Sequence, residues 1–129
     1  MSEGQSDMLR EIFTLQRKLQ VEKFRDPVRL SRDEAIEFIR WNVLALEDEL
    51  HEALNEIGWK PWASSKHINR EAYIGELVDA VHFLVNLFRV VGATPEEVLE
   101  RYESKNAKNH RRQEAGYDGK KDEHGREID

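Results

Sequence analysis

The sequence predicts an all-α fold of four helices, and three observations carry that expectation. Apolar residues recur at intervals of three and four in four separate segments, the spacing of one helix face. Two of the segments open on a Ser/Thr-x-x-Glu box, which satisfies free backbone N–H groups at a helix start. Nowhere does the chain sustain the apolar–polar alternation of a half-buried strand.

The first helix is expected from Ser6, as N-cap, to Phe24, with Ile12, Leu15 and Leu19 on one face. Asp26-Pro27 ends it. The second starts at the capping box Ser31-Arg32-Asp33-Glu34 and carries a stripe through Ile39, Val43, Leu46, Leu50, Ala53 and Ile57. Gly58 is its expected C-cap. A loop holding Trp59, Lys60, Pro61 and Trp62 leads to a third helix, about Arg70 to Val91, stopped by Gly92. The second half of that helix is apolar nearly all round, which marks a buried helix. Glycine at 75 would admit a close neighbour there. The fourth opens on Thr94-Pro95-Glu96-Glu97, with proline at the first helical position, and ends before Gly116.

At 129 residues the chain is one domain's worth, expected over 1–117. Residues 118–129 are charge and glycine with Ile128 the lone apolar anchor, so a flexible tail is expected. Four helices with one apolar all round leave too much apolar surface for a lone chain. A four-helix-bundle-type unit assembling as a homodimer or homotetramer follows. The absence of cysteine excludes a disulfide scaffold, a zinc finger and a thiol nucleophile. The net charge of −6 argues against nucleic acid as partner, since that needs a cationic surface. No apolar run is long enough to span a bilayer, and no leader pattern opens the chain. The expectation is a cytoplasmic protein with no membrane partner.

The placement of the acids is more informative than their number. At about 100° per residue, Glu49 and Glu52 fall together along one edge of the second helix's apolar stripe. Glu76 and Asp79 are again three apart, on a helix with few other polar positions. Acidic pairs at this spacing are ordinary on exposed helices, but charge on an apolar helix is costly unless something compensates it. Consecutive helices joined by a short connection pack antiparallel, so the two pairs can face each other. Converging carboxylates repel, and a hard divalent cation such as Mg²⁺ or Mn²⁺ relieves that repulsion. A carboxylate site for Mg²⁺ or Mn²⁺ that handles phosphate is the expectation. Asp48-x-x-His51 and Asp79-x-x-His82 imitate a di-iron element, but Asp48 and His51 point away from the Glu49 edge.

Glu49-x-x-Glu52 followed by Glu76-x-x-Asp79, with Asn86 seven residues on, resembles the all-α nucleoside triphosphate pyrophosphatases, the MazG-like and dimeric dUTPase-like superfamily. Tyr102-x-x-Lys105-Asn106-x-x-Asn109-x-x-Arg112-Gln113-x-x-Gly116-Tyr117 is similar to the C-terminal motif of the dimeric dUTPases. The resemblance implies that Lys105, Asn109, Arg112 and Tyr117 bind the triphosphate. Trp59-Lys60-Pro61-Trp62 resembles that family's loop beside the nucleobase, which implies Trp59 at the base and Lys60 at the phosphates. Gln16 resembles a base-contacting glutamine, and Gln20 stands where the family has an asparagine.

The residues themselves leave alternatives beside these roles. Lys105, Asn109 and Arg112 fall on one helix face, a donor ladder or a solvated polar surface. His82 can touch the base, orient a carboxylate or be a core residue. Asn86 can bind sugar or base, or tie helices together. Trp59 can stack on a base or pack its loop. The function this points to is metal-dependent hydrolysis of a deoxynucleoside triphosphate, dUTP first, to monophosphate and pyrophosphate. The alternatives are the same chemistry on dCTP or another dNTP, and a non-catalytic helical oligomerisation module. The glycine- and lysine-bearing end, Gly116 to Lys121, suits closure over a bound substrate.

Overall fold

The structure, a computed structural model, describes residues 7–116. It contains four α-helices among those residues: α1 Met8–Lys23, α2 Arg32–Leu54, α3 Arg70–Val90 and α4 Pro95–Glu114. A 3-10 turn, Pro27–Arg29, joins α1 to α2. Strand structure among the described residues is limited to one antiparallel bridge, Ile57 with Ile68. The expected all-α fold is what forms. The chain divides into two compact units, Met1–Thr94 and Pro95–Asp129. Ser6, Tyr117 and the tail, with the expected domain boundary at 117, lie outside the described residues.

In the first unit α2 and α3 form the main packed pair and α1 lies against α3. Local chemistry sets the start of α2 as expected. Ser31 Oγ accepts from Glu34 N at 3.2 Å, and Glu34 Oε1 accepts from Ser31 N at 3.0 Å, a complete capping box. The backbone N–H of Ser31, ahead of its hydroxyl, holds the Glu34 carboxyl below its usual range. Arg25 also pairs with Glu34, so the box ties back to the end of α1.

Two helix ends differ from expectation. The first helix takes Asp7 as N-cap and begins at Met8. The second stops at Leu54, three residues short of Ile57, and Gly58 is not its cap. Tightened turns close it instead, with Glu56 N donating to Ala53 O and Ile57 N to Leu54 O. Gly58 serves a different need: a Cβ there would lie 1.9 Å from Ser65 O. Only glycine lets the two sides of the 55–69 loop close, where Gly58 N donates to His67 O at 2.9 Å. Gly92 does end α3 as expected, with φ +77° and Ala93 N donating to Phe88 O. At Gly75 nothing among the described residues lies within 4 Å of where a Cβ would sit, so the expected close neighbour is not seen there.

The inner face of α1 is also not the expected one. Phe13, Gln16 and Gln20 are buried, while Leu15 is 60% exposed and Ile12 and Leu19 also face out. Phe13 stacks on Phe88 with centroids 6.3 Å apart, and this contact sets the rotation of α1. Ile36, Val43 and Leu50, seven apart on α2, are likewise exposed. On α3, Ala80, Val85, Asn86 and Arg89 are buried, but Val78, Val81 and Leu84 are exposed. The connection between α1 and α2 is pinned from α3: Pro27 is fully buried, and Arg89 Nη2 lies 3.7 Å from Asp26 Oδ1. Burial lowers the pKa of Arg89, opposed by the charge of Asp26.

The second unit carries α4, with Pro95 at its first position and an Arg101–Glu97 ion pair of 2.9 Å. No residue of α4 is buried. Gly116 beyond it has φ +78°. No single helix among the described residues is long and apolar enough to cross a membrane.

Candidate active site

Antiparallel packing of α2 on α3 brings Glu49 opposite Glu76 and Asp79. One carboxylate oxygen from each of the three lies within 4.8 Å of the others. Glu49 and Glu76 are half-buried and Asp79 is exposed. Glu52, also predicted, is exposed one turn beyond Glu49 and hydrogen-bonds to its carboxyl, outside the three-residue cluster. The Glu76 carboxyl hydrogen-bonded to Glu49, then partial burial, then Glu52 and the charge of Asp79 raise the pKa of Glu49 from 4.5 to about 7. Glu49 Oε2 is buried and receives no hydrogen bond. An orphaned carboxylate oxygen among three converging acids fits a hard divalent cation.

Glu49 and Asp79 also line a cavity of about 830 Å³ that runs along α2 as far as Glu34. A continuous hydrogen-bonded chain crosses its wall and links all three helices of the first unit. His82 Nδ1 pairs with Gln16 Oε1 at 2.7 Å, and Gln16 Nε2 donates to Asn86 Oδ1 at 2.9 Å. Asn86 Nδ2 donates to Asn42 Oδ1 at 3.0 Å, and Asn42 Nδ2 to the carbonyl of Phe38 at 2.8 Å. Gln16, Asn42 and Asn86 are all buried, so each amide needs these partners. Asn42 sits seven residues from Glu49, about 10 Å along the helix axis. The far end of the cavity is aromatic, with Phe24, Phe38 and Trp41.

Three of the residues expected at the base, Gln16, His82 and Asn86, therefore come together beside the acids. Trp59 and Lys60 do not line that cavity. They border a smaller hollow of about 220 Å³ inside their own loop, with Asn55, Gly58 and His67. Lys60 Nζ lies 5.9 Å from the Trp62 ring, so the loop is partly self-packed. On α4, Lys105 and Asn109 are exposed and Arg112 is half-buried, and their spacing places them on one face. Asn42 and Trp41 were not singled out by the sequence, and Gln20 was noted only as standing where the family has an asparagine. The available signal was Asn42 itself, a polar residue four before Leu46 and seven before Glu49.

A model of the dUTPase family matches residues 8–88, the segment that carries the acids and the polar chain. The chain belongs to the dUTPase family. This agrees with the all-α nucleoside triphosphate pyrophosphatase superfamily expected from the sequence. The chain is 37% identical over 71 residues to a dCTP pyrophosphatase of Enterobacteria phage LZ5, covering 46% of this chain and 41% of that protein. It is 28% identical over 108 residues to a dCTP pyrophosphatase of Enterobacteria phage T4, covering 65% of this chain and 63% of that protein. The matched region thus spans less than two thirds of either relative's length. No solved structure matches the chain.

Proposed function

We propose that this protein hydrolyses a pyrimidine deoxynucleoside triphosphate to the monophosphate and pyrophosphate, using Mg²⁺ (or Mn²⁺) held by Glu49, Glu76 and Asp79 with Glu52 beside them. The observation that carries the reading is the acidic cluster with its orphaned Glu49 oxygen at one end of a nucleotide-sized cavity. A bound divalent cation supplies charge neutralisation at the phosphates and a water of lowered pKa. Glu76 and Asp79 are one helical turn apart and bring their oxygens close together, so both can hold the same cation. Glu49, facing both acids of α3, is the carboxyl assigned to take the proton of the attacking water.

Gln16, Asn86 and His82 would border base and sugar. Lys105, Asn109 and Arg112 would present donors to phosphate oxygens, with Tyr117 and Lys60 as further phosphate ligands and Trp59 at the base. dUTP is the substrate suggested by the family, and dCTP the one suggested by the two relatives. The exposed stripe of Met8, Ile12, Leu15 and Leu19 supports assembly into a homodimer or homotetramer.

The test is product analysis after incubation with dUTP and dCTP, with Mg²⁺ and with chelator. The proposal expects equal amounts of monophosphate and pyrophosphate with Mg²⁺ and none with chelator. Diphosphate and inorganic phosphate, or no turnover of any dNTP, would overturn it.

A further inference from the structure

The polar chain across α1, α2 and α3 has a direction, and one end fixes it. The carbonyl of Phe38 can only accept, so the Asn42 atom 2.8 Å from it must be the amide nitrogen. Asn42 then turns its oxygen to Asn86, which must answer with its own nitrogen at 3.0 Å. The Asn86 oxygen is left facing Gln16, whose nitrogen donates to it at 2.9 Å. That leaves the Gln16 oxygen 2.7 Å from Nδ1 of His82. An oxygen at this distance needs a hydrogen on Nδ1. Reversing any one amide would set two acceptors or two donors against each other in a buried place, which costs more than the bond is worth. The His82 ring lines the cavity, and its Nε2 makes no hydrogen bond to protein among the described residues.

We infer that neutral His82 is held as its Nδ1–H tautomer, with Nε2 presented to the cavity as an acceptor for an N–H or O–H donor on the ligand. Asn42 is the positioning residue that sets this, acting through Asn86 and Gln16. The ligand's identity rests on the proposed function; the tautomer does not. The second nitrogen of a histidine takes the role that the first one's partner leaves to it. An acceptor here fits a donor that a pyrimidine nucleotide can supply in two ways: an exocyclic amino group on the base, or the sugar 3′-hydroxyl. A keto oxygen at the same place would meet Nε2 lone pair to lone pair.

The tautomer is read on the free full-length protein with ¹⁵N-labelled histidine, by long-range ¹H–¹⁵N correlation above the histidine titration. The expected signature for His82 is a protonated Nδ1 and an unprotonated Nε2. A protonated Nε2 overturns the inference. In Asn42→Leu, and in Gln16→Leu as a second variant, His82 is expected to return to a mixture of tautomers. A signature unchanged in both leucine variants would overturn the positioning role.

The acceptor is tested by calorimetric binding of α,β-imido analogues of dCTP, dUTP and 3′-deoxy-dCTP with Mg²⁺, on the wild type and His82→Phe. Removing the donor that His82 takes is expected to weaken wild-type binding roughly tenfold and to change nothing in His82→Phe. Coupling to the dCTP–dUTP difference assigns the donor to the base amine, and coupling to the 3′-deoxy analogue assigns it to the sugar. Coupling to neither overturns the acceptor. Failure to hydrolyse any dNTP would sink the proposed function and leave the tautomer measurement standing.

Discussion

Titrating Mg²⁺ into the protein at pH 6 and at pH 8 should expose the proton that Glu49 carries. With its pKa raised to about 7 by Glu76, partial burial, Glu52 and Asp79, Glu49 is about 90% protonated at pH 6 and about 10% at pH 8. A cation needs the carboxylate, so binding must expel the proton at the lower pH. The apparent affinity should therefore rise about tenfold from pH 6 to pH 8, with close to one proton released per ion at pH 6. Calorimetry in buffers of different ionisation enthalpy reads both quantities. The same shift has a stability consequence. Between about 4.5 and about 7 the folded chain binds more protons at Glu49 than the unfolded chain does. Stability of the metal-free protein should then fall as pH rises through that window. In Glu49→Gln the proton release should vanish. Equal affinity at the two pH values, or heats independent of buffer, would refute the reasoning.

Gly58→Ala should lower stability by about 1–3 kcal/mol by urea denaturation, because its Cβ would strike the backbone oxygen of Ser65 at 1.9 Å and break the Gly58–His67 bond. Arg89→Met should cost about 2 kcal/mol in the same assay by releasing Asp26 and the buried Pro27 turn, with Mg²⁺ affinity unchanged. Lys105→Ala should raise KM for the triphosphate roughly tenfold, the scale of one charge-assisted hydrogen bond, with kcat and thermal melting little altered.

Features governed by local chemistry were legible in the sequence. The Ser31 box, Gly92 at the end of α3 and the acids at 49, 76 and 79 depend on neighbours within a turn or on helical phase, which a sequence shows directly. What escaped depends on contacts between distant segments. The rotation of α1 is set by Phe13 against Phe88, so the most apolar face of that helix is not the one the described chain buries. Gly58 reads locally as a helix cap, but its need for a missing Cβ comes from Ser65 across the loop. Asn42 reads as a break in an apolar stripe until Asn86 and the Phe38 carbonyl give it partners. The loop residues Trp59 and Lys60 carried a motif, yet their hollow is separate from the main cavity.

The most direct measurement is Mg²⁺-dependent pyrophosphate release from dCTP and dUTP by the wild type beside Asp79→Ala, with circular dichroism to confirm that both are folded. Asp79 is the exposed member of the cluster, so its removal should leave the helices intact. The prediction is turnover of at least one of the two nucleotides by the wild type, and a loss of at least a hundredfold in the variant, about the effect of removing one charged group from a metal-assisted reaction. A folded Asp79→Ala protein that releases pyrophosphate at the wild-type rate would contradict the assignment of these acids.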